Sequence, residues 1–123
     1  MDIHNLYREE ILEHFKDPQN FSKIDNPTYT SKEVNPFCGD DIEIFIKENN
    51  DKTTEVSFLG KGCAVSIAAA SMLTEFAQGK TVKELKKIND SDMMDLLDIE
   101  VSESRKKCAF LALATLQDSL KEV

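Results

Sequence analysis

One long and nearly uncharged stretch decides the fold of this chain, Ala64-Val65-Ser66-Ile67-Ala68-Ala69-Ala70-Ser71-Met72-Leu73-Thr74-Glu75-Phe76-Ala77. Alanine has the highest intrinsic helix propensity, and a helix that is apolar on all sides must be covered by other elements. We therefore predict a central helix over 64–77 that is buried on most sides. Gly79 is a typical terminator for it.

Three strands are predicted before this helix. Isoleucine occupies every second position of 42–47, which is the period of a half-buried strand, and further strand signals cover 28–34 and 54–59. The polar run at 48–52 predicts a hairpin between the last two strands. The expected sheet is therefore antiparallel.

Further helices are predicted on both sides of these elements. An amphipathic helix over 2–16 should end before Asp17-Pro18, because the residue before a proline disfavours the helical conformation. A capping box of Thr81 and Glu84 opens a short helix through 88, another begins near 90, and a closing helix runs from 104 to the end. The predicted fold class is α+β, a three-stranded antiparallel sheet packed against several helices.

Composition and charge narrow the function classes. The 123 residues, 41% hydrophobic and 31% charged, are typical of one globular domain over 1–123. A net charge of −8 argues against nucleic acid as a partner. No stretch reaches the roughly 20 apolar residues of a membrane span, and the N-terminus lacks the pattern of a secretory signal. We therefore expect a cytoplasmic protein with no membrane partner, whose three cysteines are free thiols.

The first candidate site lies in the turn between the first two predicted strands. Cys38 and Asp40 flank Gly39, which permits the backbone angles of a tight reversal. Both side chains can therefore point at one spot.

The other two cysteines are expected at helix starts. Cys63 follows Gly62, which clears space, and precedes the central helix, whose exposed amides and dipole favour a thiolate. Cys108 lies early in the closing helix, after Lys107 and two more basic residues. Their positive charges are also expected to favour a thiolate.

Cys38, Asp40, Cys63 and Cys108 together supply four donors, the number needed for tetrahedral zinc or for the open edge of an iron–sulfur cluster. A carboxylate is harder than a thiolate, so its bond to a soft metal should break first. Such a site suits a protein that hands on a metal or cluster.

A simpler interpretation exists for each of these residues. An isolated cysteine is often a small apolar filler, and an aspartate after glycine is common in turns. We interpret His4 and His14 as surface residues and not as ligands. Met93 and Met94 are interpreted as core or gap-filling residues.

The chain resembles the IscU/NifU-like, SufU-related iron–sulfur cluster assembly scaffolds over essentially its whole length. The opening segment 6–20 is similar to theirs, and three cysteine motifs carry the resemblance: Asn35-Pro36-Phe37-Cys38-Gly39-Asp40, Gly60-Lys61-Gly62-Cys63-Ala64-Val65-Ser66 and Arg105-Lys106-Lys107-Cys108-Ala109. The resemblance implies a SufE/NifU-like architecture.

The resemblance also implies an activity. A cysteine desulfurase would deliver persulfide sulfur, an iron donor would supply iron, and a transient [2Fe-2S] cluster, with [4Fe-4S] as the alternative, would form on Cys38, Asp40, Cys63 and Cys108 before transfer to apo-protein recipients. The persulfide acceptor would be Cys108 in the scaffold branch, or Cys38 in the SufU-like branch of sulfurtransferases that bind Zn²⁺. The scaffold would be a monomer or a cluster-bridged homo-oligomer.

Three departures bear on the branch. Lys107 stands where scaffolds usually have histidine, a choice closer to the sulfurtransferases. Only 44 residues separate Cys63 from Cys108, which fits the scaffold form without the sulfurtransferase insertion. Residues 101–105 do not match the Leu-Pro-Pro-Val-Lys segment by which many scaffolds engage a chaperone. The scaffold is the first hypothesis, the zinc-dependent sulfurtransferase the second and a purely structural zinc domain the third.

Overall fold

The computed structural model describes residues 9–36 and 39–123. In chain order the elements are α1 (Glu9–Lys16), β1 (Tyr29–Val34), β2 (Asp41–Asn49), β3 (Lys52–Lys61), α2 (Ala64–Ala77), α3 (Val82–Lys86), α4 (Asp90–Leu97) and α5 (Glu103–Ser119). The predicted α+β class is confirmed. The predicted first helix is seen from Glu9 onward, and its earlier part lies outside the described residues. Helix α5 ends at Ser119, short of the predicted end of the chain.

The three strands form one antiparallel sheet in the order β1-β2-β3. Strands β2 and β3 are joined by the two residues Asn50 and Asp51, with φ angles of 53° and 67°. Positive φ at both positions is the requirement of a type I′ hairpin turn, whose twist matches that of the strands. The hairpin predicted from the polar run is therefore present, with β2 and β3 longer than expected.

The inner face of the sheet packs against the helices. Ile42, Ile44 and Ile46 of β2 are fully buried, as are Val56 and Phe58 opposite them on β3. These side chains meet α2 and α5 in the main hydrophobic core. Burial of aliphatic and aromatic side chains of this size stabilises the fold by about 1.5–3 kcal/mol each.

Helix α2 is central, as its composition predicts. It packs against α1, α4, α5 and β3, and all but three of its residues are buried. Its first residue follows β3 after a short link, which places the N-terminal end of α2 beside the end of the sheet. This junction is where Asp40, Cys63 and Cys108 meet. Among the helices that the structure describes, none is both long and apolar enough to traverse a membrane.

The outer face of the sheet is partly covered by the linker between α1 and β1. The Asn20 carbonyl accepts a hydrogen bond from the Phe58 amide on β3, and the Asn26 carbonyl accepts one from Lys47 Nζ on β2. The linker therefore runs across the sheet between these two points. Ile24 in the linker and Phe45 on the outer face are both buried.

Two capping boxes set the starts of the short helices. The predicted box of Thr81 and Glu84 is present at α3, although α3 ends at Lys86 and not at 88. A second box, formed by Asn89 and Asp92, opens α4. These reciprocal bonds satisfy amide groups that a helix start otherwise leaves without partners.

Candidate metal centre

Asp40, Cys63 and Cys108 come together at one end of the sheet. One carboxylate oxygen and the two sulfur atoms all lie within 4.8 Å of one another. The three residues come from the β1–β2 connection, the start of α2 and the second turn of α5. The fourth predicted ligand, Cys38, lies outside the described residues.

The connection between β1 and β2 turns Asp40 inward. The Asn35 amide donates to the Asp40 carbonyl at 2.8 Å, and the Gly39 amide donates to the Asn35 carbonyl at 2.8 Å. Gly39 has φ +78°, the left-handed conformation that the sequence predicts for this turn. The closed turn leaves Asp40 only 6% exposed. A carboxylate this deeply buried needs hydrogen-bond donors or a cation to offset its lost hydration.

Cys63 is the N-cap residue of α2. Its backbone is extended, with φ −73° and ψ 172°, and its carbonyl accepts the first helical hydrogen bond, from the Ile67 amide at 3.1 Å. The thiol makes no capping hydrogen bond to the backbone and is half-buried. Its sulfur is therefore available to the site.

Ser66 contributes to the site although it is not among the site residues predicted from the sequence. Its hydroxyl donates to Oδ2 of Asp40 at 2.7 Å, and its oxygen lies 3.4 Å from the sulfur of Cys63. The signal in the sequence is a serine one turn after Cys63, in a helix whose neighbouring positions are alanine and aliphatic.

Gly62 makes room for this arrangement. A Cβ atom at position 62 would lie 2.6 Å from Oγ of Ser66 and 2.8 Å from Cγ of Asp40. Both distances are well below normal van der Waals contact, which is about 3.5–4.0 Å between carbon atoms. Position 62 therefore has a steric requirement for glycine.

Cys108 lies on the inward side of α5 and is 8% exposed. Arg105, Lys106 and Lys107 precede it, and Lys106 pairs with Glu103 at 2.7 Å. These three basic residues directly precede the thiol on α5, in a chain whose net charge is −8.

An open apolar cavity of about 360 Å³ lies between the residues that follow β1 and helix α5. Pro36, Phe110 and Leu111 are among its apolar lining residues, and Lys106 and Lys107 stand at its rim.

The donor set fits a soft metal ion. With Zn–S bonds of about 2.3 Å, two sulfur ligands of a tetrahedral zinc lie roughly 3.8 Å apart. Donor atoms within 4.8 Å of one another need only a small contraction to reach that geometry. Two sulfurs and one oxygen from the described residues leave one tetrahedral position, which Cys38 is predicted to fill. In the described ranges no other histidine, cysteine and carboxylate side chains form such a cluster.

His14 is half-buried at the margin of α1 and is not part of the metal cluster. Its Nδ1 lies 2.6 Å from Oγ of Ser71, which also accepts a hydrogen bond from the Gln19 amide at 2.8 Å. The contact arises because α1 packs against α2, a tertiary contact that helical periodicity does not reveal. His4 lies outside the described residues. Met93 is fully buried and Met94 half-buried.

The chain is similar to known proteins of iron–sulfur cluster assembly. It is 32% identical over 115 residues to the iron–sulfur cluster assembly scaffold protein IscU 1 of Archaeoglobus fulgidus, covering 94% of this chain and 74% of that protein. It is 33% identical to the zinc-dependent sulfurtransferase SufU of Bacillus subtilis over a 133-position alignment, covering 94% of this chain and 90% of SufU.

A solved structure shows the same architecture. The crystal structure of FiSufU, a SUF-system protein of Fervidobacterium islandicum AW-1 assigned to iron–sulfur cluster assembly, superposes with a TM-score of 0.82. The two chains are 28% identical, and the match covers 97% of this chain and 99% of FiSufU. The sequence profile of the NifU-like N terminal domain matches residues 6–123. The chain therefore belongs to the NifU-like N-terminal domain family.

Proposed function

We propose that this protein is a scaffold for iron–sulfur cluster assembly. It receives persulfide sulfur from a cysteine desulfurase, combines it with iron on Cys38, Asp40, Cys63 and Cys108, and passes the resulting cluster to recipient proteins. The domain that does this spans 1–123. The similarity to IscU 1, which is named as an iron–sulfur cluster assembly scaffold protein, supports the proposal.

The observation that carries the proposal is the meeting of two thiols and one carboxylate within 4.8 Å. Residues at positions 40, 63 and 108 are far apart in the chain, and three different elements deliver them to one point. A structural role for buried cysteines requires only apolar neighbours. The adjacent carboxylate instead favours a shared cation.

Sulfur delivery follows from thiolate chemistry. The thiolate of the acceptor, Cys108 or Cys38, attacks the terminal sulfur of the desulfurase persulfide, a new S–S bond forms, the old one breaks, and the desulfurase thiolate leaves. The basic residues before Cys108 favour the anionic attacking group. Reduction of the transferred sulfur to sulfide takes two electrons, which an electron-donor partner must supply.

We assign Asp40 as the ligand whose bond to the cluster breaks first during transfer. An oxygen donor binds soft metals less firmly than sulfur does, so the bond to Asp40 is where a recipient's thiol enters first. The cluster is therefore bound transiently and then passed on, and we propose that it is a [2Fe-2S] cluster. The partners are a desulfurase, an iron donor and apo-proteins in the cytoplasm, and the scaffold works as a monomer or as a cluster-bridged homo-oligomer.

Anaerobic reconstitution tests the proposal. The chain is incubated with iron, cysteine, a cysteine desulfurase and dithiothreitol, which supplies the two electrons that reduce each transferred sulfur to sulfide. Optical and Mössbauer spectra are compared with those of a zinc-loaded sample and of a Cys63→Ser variant. A cluster that forms on the parent chain, fails on the variant and moves to an apo-ferredoxin supports the scaffold. Absence of any cluster on the parent chain contradicts it.

The second candidate function is zinc-dependent sulfur transfer. Lys107 and the 33% identity to SufU favour it. The SufU alignment, however, spans 133 positions, more than the 123 residues of this chain, whereas the IscU 1 alignment spans 115. The aligned part of SufU therefore carries extra residues that the aligned part of IscU 1 does not. A zinc form that stimulates the desulfurase, with no cluster formed, would favour sulfur transfer over the scaffold.

A further inference from the structure

Ser66 is a fully buried hydroxyl in the first turn of α2, directly between two of the candidate ligands. We propose that Ser66 is a positioning residue for the metal site, holding the carboxylate of Asp40 through Oδ2 and so setting the direction in which its second oxygen points. This inference rests on the proposed function, because it assigns a metal or a cluster to the site.

The hydroxyl has one proton and three acceptors within reach. Oδ2 of Asp40 is 2.7 Å away, the Cys63 carbonyl 3.3 Å and the Cys63 sulfur 3.4 Å. The carbonyl already accepts the Ile67 amide, and a hydrogen bond to a carboxylate is shorter and stronger than one to a neutral acceptor. The Ser66 hydroxyl therefore donates its hydrogen bond to Oδ2 of Asp40, and the lone pairs of the Ser66 oxygen face the thiol of Cys63.

The surrounding sequence indicates that the hydroxyl is present for this contact. Helix α2 carries alanine at 64 and at 68–70, and alanine at 66 would favour the helix slightly more than serine does. Burying a hydroxyl also costs free energy unless it is hydrogen-bonded. Ser66→Ala removes one oxygen and leaves a side chain that suits the helix, so the variant should fold.

The test is a double-mutant cycle with Ser66→Ala, Asp40→Ala and the pair. Zn²⁺ affinity is measured by competition with a chromophoric chelator, and the Co²⁺-loaded forms are compared by their visible absorption. Loss of a group that orients a metal ligand weakens metal binding by about 10–100-fold, which is the loss expected for Ser66→Ala in the parent chain. In the Asp40→Ala background the same change should cost no more than about twofold, since its target is gone.

The Co²⁺ spectrum supplies a readout that a merely structural role would not change. With Ser66→Ala the ligand-field bands should shift because the oxygen ligand is displaced, while the sulfur-to-metal charge-transfer bands persist. Ser71→Ala is the matched control. Ser71 is also a buried serine of α2, but its hydroxyl contacts His14 and Gln19, so Zn²⁺ affinity should not change.

The outcomes separate the two proposals. Equal losses in the parent and Asp40→Ala backgrounds, or no loss in the parent, overturn the positioning role and leave the scaffold intact. A parent chain that binds neither Zn²⁺ nor Co²⁺ overturns the metal site itself, and the role of Ser66 with it.

Discussion

Replacing Gly62 with alanine should damage the site and the fold together. The added methyl group would lie 2.6 Å from the Ser66 hydroxyl oxygen and 2.8 Å from the Asp40 carboxyl carbon. Neither group can withdraw easily, because Ser66 is in a fully buried turn of α2 and Asp40 is in a closed backbone turn. The hydrogen bond between them is therefore the contact that breaks.

The size of the effect follows from these contacts. Overpacking a buried site costs about 1–3 kcal/mol, and a lost hydrogen bond to a charged group costs about 1.5–3 kcal/mol. The lower entropy of the unfolded alanine chain offsets about 0.4–1 kcal/mol of this. The expected net loss is about 1.5–5.5 kcal/mol, which corresponds to a drop in melting temperature of roughly 6–22 °C for a chain of this size.

Urea unfolding of the metal-free protein measures this loss, and a Zn²⁺ competition titration measures the expected weakening of about 10–100-fold. Gly79→Ala is the control. It also replaces a glycine, with φ +78°, but a Cβ atom there would have no neighbour within 4 Å, and it lies beyond the other end of α2. It should cost about 1–2 kcal/mol through backbone strain and leave Zn²⁺ affinity unchanged. A Gly62→Ala protein with parental stability and affinity would refute this account of the site.

Three further changes test other parts of the molecule. Asp40→Ala should lower equilibrium Zn²⁺ affinity yet lengthen the lifetime of an assembled cluster and slow its transfer, since the easiest entry point is gone; faster release to the same apo-ferredoxin would refute the labile carboxylate. Desolvation, followed by the hydrogen bond to Asp118 and the charge of Asp118, raises the pKa of Glu33. Protonated Glu33 therefore stabilises the fold. This contribution is complete below the unfolded-state pKa and is lost as pH rises through the raised pKa of the folded state. Glu33→Gln should accordingly raise the urea midpoint more at pH 8 than at pH 4, and equal midpoint changes at the two pH values would contradict the coupling. Leu73→Ala empties a fully buried position of α2 and should cost about 2–5 kcal/mol in urea unfolding; a loss below about 1 kcal/mol would mean that α2 is less tightly packed than the structure shows.

Local patterns were sufficient to predict most of the fold. The bounds of α2 follow from a run of helix-forming apolar residues between two glycines, and the strands follow from alternation and a polar hairpin turn. The capping box at α3 is a contact between residues three positions apart. Such features depend on near neighbours in the chain, so the sequence predicts them well.

Tertiary contacts account for what was missed. Phe45 lies on the face of β2 opposite the inward-facing isoleucines, yet it is buried, as is Ile24 in the linker that runs across the sheet. Alternation along one strand does not reveal this cover. In the sequence nothing distinguishes Ser66 from other helix serines, because its contact with Asp40 exists only once α2 lies beside the β1–β2 connection. His14 likewise acquires its partner Ser71 only when α1 packs against α2. The positions of Cys63 and Cys108 at helix starts were predictable, whereas their approach to Asp40 was implied by the resemblance to a family.

Zinc K-edge X-ray absorption of the zinc-loaded protein tests the central claim most directly, because it reads the atoms bound to the metal. The account predicts one oxygen at about 2.0–2.2 Å and three sulfurs at about 2.3 Å, with the number of sulfurs falling to two in Cys63→Ser. A shell made only of nitrogen and oxygen, a shell without oxygen, or three sulfurs retained in Cys63→Ser would contradict the claim that this carboxylate and the cysteine thiols share one ion.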